Sequence, residues 1–164
     1  MEKSNEWYTP PYIIDAAREV MGGIELDPAS CAMAQETVRA DRYYSKEDDG
    51  LSQEWKARTV WLNPPFGKDY GSLDAWIDKL INECKSGNAR TSIALLPSSI
   101  HTSGFHSLCG YPICFTRKRV RFIRPYEDQC QSNLYGNVFV YLGSNEQKFI
   151  EVFSKLGTVV KRVS

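Results

Sequence analysis

A helix framed by two apolar strands constrains this chain more than any other feature. Leu73, Trp76, Ile77, Leu80, Ile81 and Cys84 recur at helical spacing. Short apolar runs flank that helix, at residues 59–62 and 92–96. Apolar strands joined by a helix are buried on both faces, and such strands imply a parallel sheet covered on both sides. The pattern extends in both directions. Thr9 is placed to cap a helix with Pro10 and Pro11 in its first turn, running to about Met21 and stopped by Gly22-Gly23. Residues 24–27 read as a strand, and Pro28 starts a short helix over about residues 29–38. Residues 41–57 look irregular. Further strands are expected at 111–115, 120–123 and 138–142. A helix at 146–156 follows, with Gly157 as its stop, and a last strand covers 158–163. The predicted fold is α/β, with a mostly parallel central sheet and helices on both faces.

At 164 residues the chain can bury one sizeable core and not two large ones, so residues 1–164 are expected to form a single domain. Its 20 basic and 20 acidic side chains give a formal net charge of zero. Any nucleic-acid contact must therefore come from a local basic patch. No apolar stretch approaches the roughly 20 residues that span a bilayer. The polar start MEKSNEWYTP lacks a signal-peptide core, so a cytoplasmic protein with no membrane partner is expected. Cys31, Cys84, Cys109, Cys114 and Cys130 are odd in number and form no CxxC pair, which argues against a disulfide framework or a zinc ribbon. His101, His106, Cys109 and Cys114 share a short window but match no zinc spacing, and no metal is expected.

The apolar run at 59–62 ends in Asn63-Pro64-Pro65-Phe66. In sheets of this kind ligands bind beyond the carboxyl ends of strands, where these residues and Asp27-Pro28 are expected. An exocyclic amine such as adenine N6 is a poor nucleophile, because its lone pair is delocalised into the ring. Two acceptors aimed at its hydrogens draw density onto nitrogen and favour tetrahedral geometry. Asn63 can supply a side-chain oxygen and Pro64 its carbonyl. Proline restricts itself and the residue before it, so the presentation is stiff. Phe66 offers a stacking face. The chemistry is orientation and electrostatic preorganisation without a strong base. The plain alternative is a rigid proline turn. Asn-Pro-Pro-aromatic arises by chance in about one chain in a thousand of this length, and its place at a strand end favours the pocket.

This stretch resembles the catalytic motif of amino-group methyltransferases that use S-adenosylmethionine. Those enzymes act on adenine N6, cytosine N4 or, in one branch, protein glutamine. The other pieces are EWYTP at 6–10, IELDPAS at 24–30, DDGL at 48–51, VWLNPPFG at 60–67 and LLP at 95–97. That ordered set resembles the phage-type DNA N6-adenine methyltransferases over nearly the whole chain. The resemblance implies a Rossmann-like methyltransferase fold and S-adenosylmethionine as cofactor. The sheet should be trimmed, since only about 30 residues separate the first cofactor strand from the catalytic strand. Asn63, Pro64, Pro65 and Phe66 match the catalytic tetrad, with phenylalanine where tyrosine is frequent. Asp27, Pro28, Ala29 and Ser30 match the cofactor loop, here without glycine. A carboxylate at 27 suits a ligand's ammonium group; a helix N-cap is its alternative role. Trp7, Tyr8, Thr9 and Pro10 match the segment that closes over the methionine end of the cofactor, where rings beside a sulfonium also make a cation–π contact. Of Asp48 and Asp49, Asp49 is favoured for the cofactor's adenosine, because it directly precedes Gly50-Leu51.

Arg117, Lys118, Arg119, Arg121 and Arg124 form the densest basic run in the chain. Alternation of Arg119 and Arg121 with Val120 and Phe122 reads as a strand with one charged face. Phosphate contact on double-stranded DNA is the functional reading, and a solvated strand face the alternative. Loops 67–72 and 97–106 are expected to flank the pocket, and a duplex adenine must be flipped out to reach Asn63. So few recognition residues imply a short site or a homodimer. The expected function is DNA adenine-N6 methylation. The competing readings are cytosine-N4 methylation, protein glutamine methylation (its enzymes lack the EWYTP and DDGL pieces) and a catalytically silent DNA-binding protein. A role in masking phage DNA from host restriction is implied by the resemblance alone.

Overall fold

Along the strand Ala89–Pro97, Ile93 and Leu95 pack on one side of the sheet while Ala94 and Leu96 pack on the other. The computed structural model describes residues 7–65, 70–123 and 136–163. Its strands are β1 (Leu26–Asp27), β2 (Arg42–Tyr43), β3 (Ala57–Leu62), β4 (Ala89–Pro97), β5 (Ile113–Thr116), β6 (Asn137–Leu142) and β7 (Gly157–Val160). Its helices are α1 (Pro11–Met21), α2 (Ala32–Val38), α3 (Leu73–Lys85), α4 (Ser103–Ser107) and α5 (Glu146–Phe153). The strands form one sheet in the order β2-β1-β3-β4-β6-β5-β7.

Successive strand residues point to opposite faces, and the central strands are apolar on both. Trp61 of β3 and Phe139 and Tyr141 of β6 join Ile93 and Leu95 beneath α1, α2 and α5. Val60, Leu62, Val138, Val140 and Leu142 join Ala94 and Leu96 beneath α3 and α4. The predicted cover of helices on both faces is thus present. Each fully buried side chain of this size contributes about 1.5–3 kcal/mol. Helix α3 is the predicted amphipathic one: Trp76, Ile77, Leu80 and Ile81 are buried, and the Ser72 hydroxyl caps it by accepting from the Ala75 N–H at 3.1 Å.

The sheet is mixed, where the sequence predicts a mostly parallel one. β1·β2, β1·β3 and β3·β4 pair parallel. β4·β6, β5·β6 and β5·β7 pair antiparallel. A parallel neighbour needs a crossover, usually a helix, that carries the chain back across the sheet. After β5, residues 117–123 form no helix and stay at the rim, where Ile123 pairs with Tyr8. β6 therefore starts from the end at which β5 stops.

Smaller differences have local causes. β2 lies inside the stretch that looked irregular; both its residues are exposed, so no apolar pattern marks it. The strand expected at 120–123 is, among the described residues, reduced to isolated bridge positions at Phe122 and Ile123, the latter paired with Tyr8. The next antiparallel pairing would need an N–H from residue 10, which is proline. Thr9 does not cap α1. Pro10 occupies the N-cap position, and its ring has no polar atom with which to cap; the Thr9 hydroxyl is engaged elsewhere. α2 starts at Ala32 rather than 29, leaving residues 28–31 as a loop after β1.

Candidate active site

β1 and β3 are parallel neighbours, so Asp27 and Asn63 leave the sheet at the same end. The Asn63 amide nitrogen donates to the Trp7 carbonyl at 3.1 Å and to the Thr9 hydroxyl oxygen at 3.3 Å. A carbonyl can only accept, so this contact fixes which end of the amide is nitrogen. The opposite atom, Oδ1, is buried and has no hydrogen-bond partner among the described residues. Leaving such an acceptor unmet costs about 1–3 kcal/mol, a cost that a ligand donor can remove. Pro64 is buried and Pro65 half-buried beside it. Phe66, assigned to stacking, lies outside the described residues.

The segment Trp7-Tyr8-Thr9-Pro10 runs along this rim. Tyr8 and Thr9 are buried. The Tyr8 N–H donates to the Ile123 carbonyl at 3.1 Å, and the Ile123 N–H donates back to Tyr8 at 2.9 Å. The Trp7 ring meets Phe122 edge-on, with centroids 5.7 Å apart. The Cys31 thiol reaches the Tyr8 hydroxyl at 3.6 Å, which ties the segment to the loop after β1.

That loop is built around Asp27. Its carboxylate accepts from the Ala29 N–H at 3.3 Å and from the Gln35 amide at 3.0 Å. Gln35 also donates to the Ser30 hydroxyl at 2.8 Å and accepts from the Ala40 N–H at 2.8 Å. Burial raises the Asp27 pKa from its ordinary 3.8 to about 7; hydrogen bonds from Ser30, Ala29 and Gln35 oppose the shift without cancelling it. No cation pairs with it among the described residues. Gln35 is a site residue that sequence reasoning missed. It lay within an unremarkable helical stretch, and only its contacts with Asp27 and Ser30 distinguish it.

The acidic turn packs against the same loop. A side chain at Gly50 would put its Cβ 1.8 Å from the Pro28 carbonyl oxygen. Trp55, fully buried, fastens the turn by donating to the Gly50 carbonyl at 2.8 Å. Asp48 is committed to the turn itself, accepting from the Ser45 N–H and hydroxyl at 2.8 Å each. Asp49 is exposed, in the left-handed region at φ 52°, and its carboxylate makes no hydrogen bond among the described residues. Gly50→Ala is expected to lower stability by about 1–3 kcal/mol through overpacking, read from urea denaturation.

Arg117, Lys118, Arg119 and Arg121 are exposed, while Val120 and Phe122 are buried. The predicted one-sided charge is present, on a segment that belongs to none of the strands. Arg124 lies outside the described residues. The structure thus joins five stretches far apart in sequence. Trp7–Thr9 touches Asn63, Cys31 touches Tyr8, Gly50 abuts Pro28, and the basic segment ends on Tyr8.

The chain matches the family model described as DNA N-6-adenine-methyltransferase (Dam) over residues 1–162. It is 30% identical over 100 residues, 60% of its length, to a DNA N-6-adenine-methyltransferase of Escherichia phage T1. It is also 30% identical over 60 residues, 37% of its length, to a protein of the same name from Haemophilus phage HP1. The matched stretches span 38% and 34% of those two relatives.

Proposed function

Because the chain belongs to the DNA N-6-adenine-methyltransferase family, we propose that it transfers a methyl group from S-adenosylmethionine to adenine N6 in double-stranded DNA. The observation that carries this reading is the buried Oδ1 of Asn63 at the end of β3, which has no hydrogen-bond partner among the described residues. Such an acceptor suits a ligand that brings hydrogen-bond donors, and adenine N6 brings two. Oδ1 of Asn63 and the carbonyl of Pro64 accept from the amino hydrogens of a flipped base. Pro65 stiffens the turn and Phe66 stacks on the ring. Bound S-adenosylmethionine supplies a methyl group on a sulfonium sulfur. As the nitrogen–carbon bond forms and the carbon–sulfur bond breaks, positive charge grows on N6, and the two acceptors stabilise it. The spare amino proton passes to water, since neither acceptor is a strong base.

The chain's own residues fit the cofactor. Asp27, a buried carboxylate with no cation beside it among the described residues, suits the ammonium group. Pro28, Ala29 and Ser30 form the loop beneath it. Trp7, Tyr8, Thr9 and Pro10 close the methionine end, where aromatic faces favour the sulfonium. The exposed Asp49 carboxylate suits the adenosine hydroxyls. We read the sheet as a trimmed Rossmann-like methyltransferase sheet in a single domain. In support, β2, β1, β3, β4 and β5 run in one sense, and both loops leave parallel neighbours at one end. The place of action in this reading is the cytoplasm of a bacterial host, and a homodimer would enlarge the recognition surface.

Incubation with labelled cofactor and mixed-sequence DNA, followed by digestion to nucleosides, tests the reaction. Label in N6-methyladenine is expected. Label in N4-methylcytosine would move the reaction to cytosine, and no labelled nucleoside would count against a DNA substrate. Arg117, Lys118, Arg119, Arg121 and Arg124 are proposed to hold phosphates. Replacing Arg119 and Arg121 together with Ala is expected to lower DNA affinity and flatten its salt dependence by about two phosphate contacts. An unchanged slope would clear both residues of phosphate contact.

A further inference from the structure

We propose that Thr9 is a positioning residue for the Asn63 amide, so that the segment 7–9 orients the acceptor as well as covering the cofactor. This rests on the reading of Asn63 Oδ1 as the acceptor for N6. An Asn side chain has two nearly isosteric orientations that exchange oxygen for nitrogen. Only one presents an acceptor to an incoming amine; the other presents a donor to a donor. The chosen orientation is held from outside the strand that carries Asn63. Its nitrogen donates to the Trp7 carbonyl at 3.1 Å and to the Thr9 hydroxyl oxygen at 3.3 Å. The carbonyl fixes the sense, because a reversed amide would set oxygen against oxygen. The hydroxyl takes the second amide hydrogen and stops the group from swinging.

Thr9 is well placed to do this because it cannot easily move. It is 4% exposed, and Pro10 follows it with no side-chain cap made at the start of α1. Tyr8 beside it is paired through two backbone hydrogen bonds to Ile123. The Trp7 ring is braced on Phe122. The support therefore comes from the inner, buried edge of the same segment whose Arg119 and Arg121 face solvent. The amide is oriented by the ribbon formed from residues 7–9 and 120–123.

Thr9→Val keeps the shape and removes the acceptor; Thr9→Ser keeps the acceptor. The expected result is a fall in kcat of about 10-fold for Thr9→Val, recovered largely in Thr9→Ser, with any change in cofactor Kd by calorimetry smaller than the fall in kcat. Asn63→Ala is measured in the same assay. A Thr9→Val enzyme with normal kcat, or one weakened only in cofactor Kd, overturns the positioning role while an inactive Asn63→Ala leaves the proposed reaction standing. A fully active Asn63→Ala overturns both. A fall in kcat that Thr9→Ser does not recover also overturns it, since packing rather than the hydroxyl would then be responsible.

Discussion

Asn63→Ala is expected to lower methyl transfer by about 10²–10³-fold while cofactor affinity stays close to that of the wild type. Single-turnover transfer to DNA and calorimetric titration with cofactor measure the two effects separately. The size follows from what the amide does. In the proposed reaction it offers a fixed acceptor where charge develops, in a buried place where that dipole is weakly screened. Truncation removes this acceptor and leaves the Trp7 carbonyl and Thr9 hydroxyl facing a void. Asn63→Asp is not expected to rescue activity. A carboxylate has no hydrogen to give the Trp7 carbonyl, so one of its oxygens would be pushed against another oxygen. Full activity in Asn63→Ala would remove Oδ1 from the mechanism.

Asp27→Asn is expected to separate stability from cofactor binding. In the folded protein the carboxyl titrates near 7, because burial disfavours its charge; its ordinary value is 3.8. Between those two pH values the folded state keeps a proton that the unfolded state has released. The contribution of Asp27 to stability therefore falls as pH rises from about 4 to about 7, and flattens above. The gap between 3.8 and about 7 corresponds to on the order of 4 kcal/mol. Asparagine carries no such charge, so the variant should be the more stable protein at pH 8 and lose the Asp27 contribution to the slope across that window in urea denaturation. Its affinity for S-adenosylmethionine should fall by about 100-fold, from the lost charge-assisted hydrogen bond to the ammonium group. In the wild type, binding below pH 7 should release a proton, seen as a buffer-dependent heat. A variant that gains stability and binds cofactor normally would leave Asp27 as a strained core residue only.

Several elements were legible because burial alone betrays them. Val60 to Leu62 and Ile93 to Leu96 are apolar throughout, and both lie in central strands. The stripe from Leu73 to Cys84 lies within α3. Burial on both faces, however, says nothing about direction. Val138 to Leu142 is as apolar as the parallel strands, yet β6 runs against its neighbours. The alternation of Arg119, Val120, Arg121 and Phe122 correctly separated exposed from buried side chains, but a ladder also needs a partner with N–H groups to give. Thr9 shows the limit most clearly. Its local pattern, a threonine before two prolines at a helix start, describes a cap. Its hydroxyl is instead used by Asn63, 54 positions away. Gln35 was hidden for the same reason, since its partners are Asp27 and Ser30.

The pairing of Tyr8 with Ile123 has a practical consequence for anyone handling the protein. Trp7 is bound at Asn63 through its carbonyl, so a purification tag joined ahead of Met1 begins within a few residues of the proposed site. In the proposed reaction such a tag hinders DNA, and the tagged protein then passes for an inactive enzyme. The other terminus is the safer place. β7 starts beside Thr116 at the rim and ends beside Ile113, at the far end of the sheet. Val163, just beyond it, is 91% exposed.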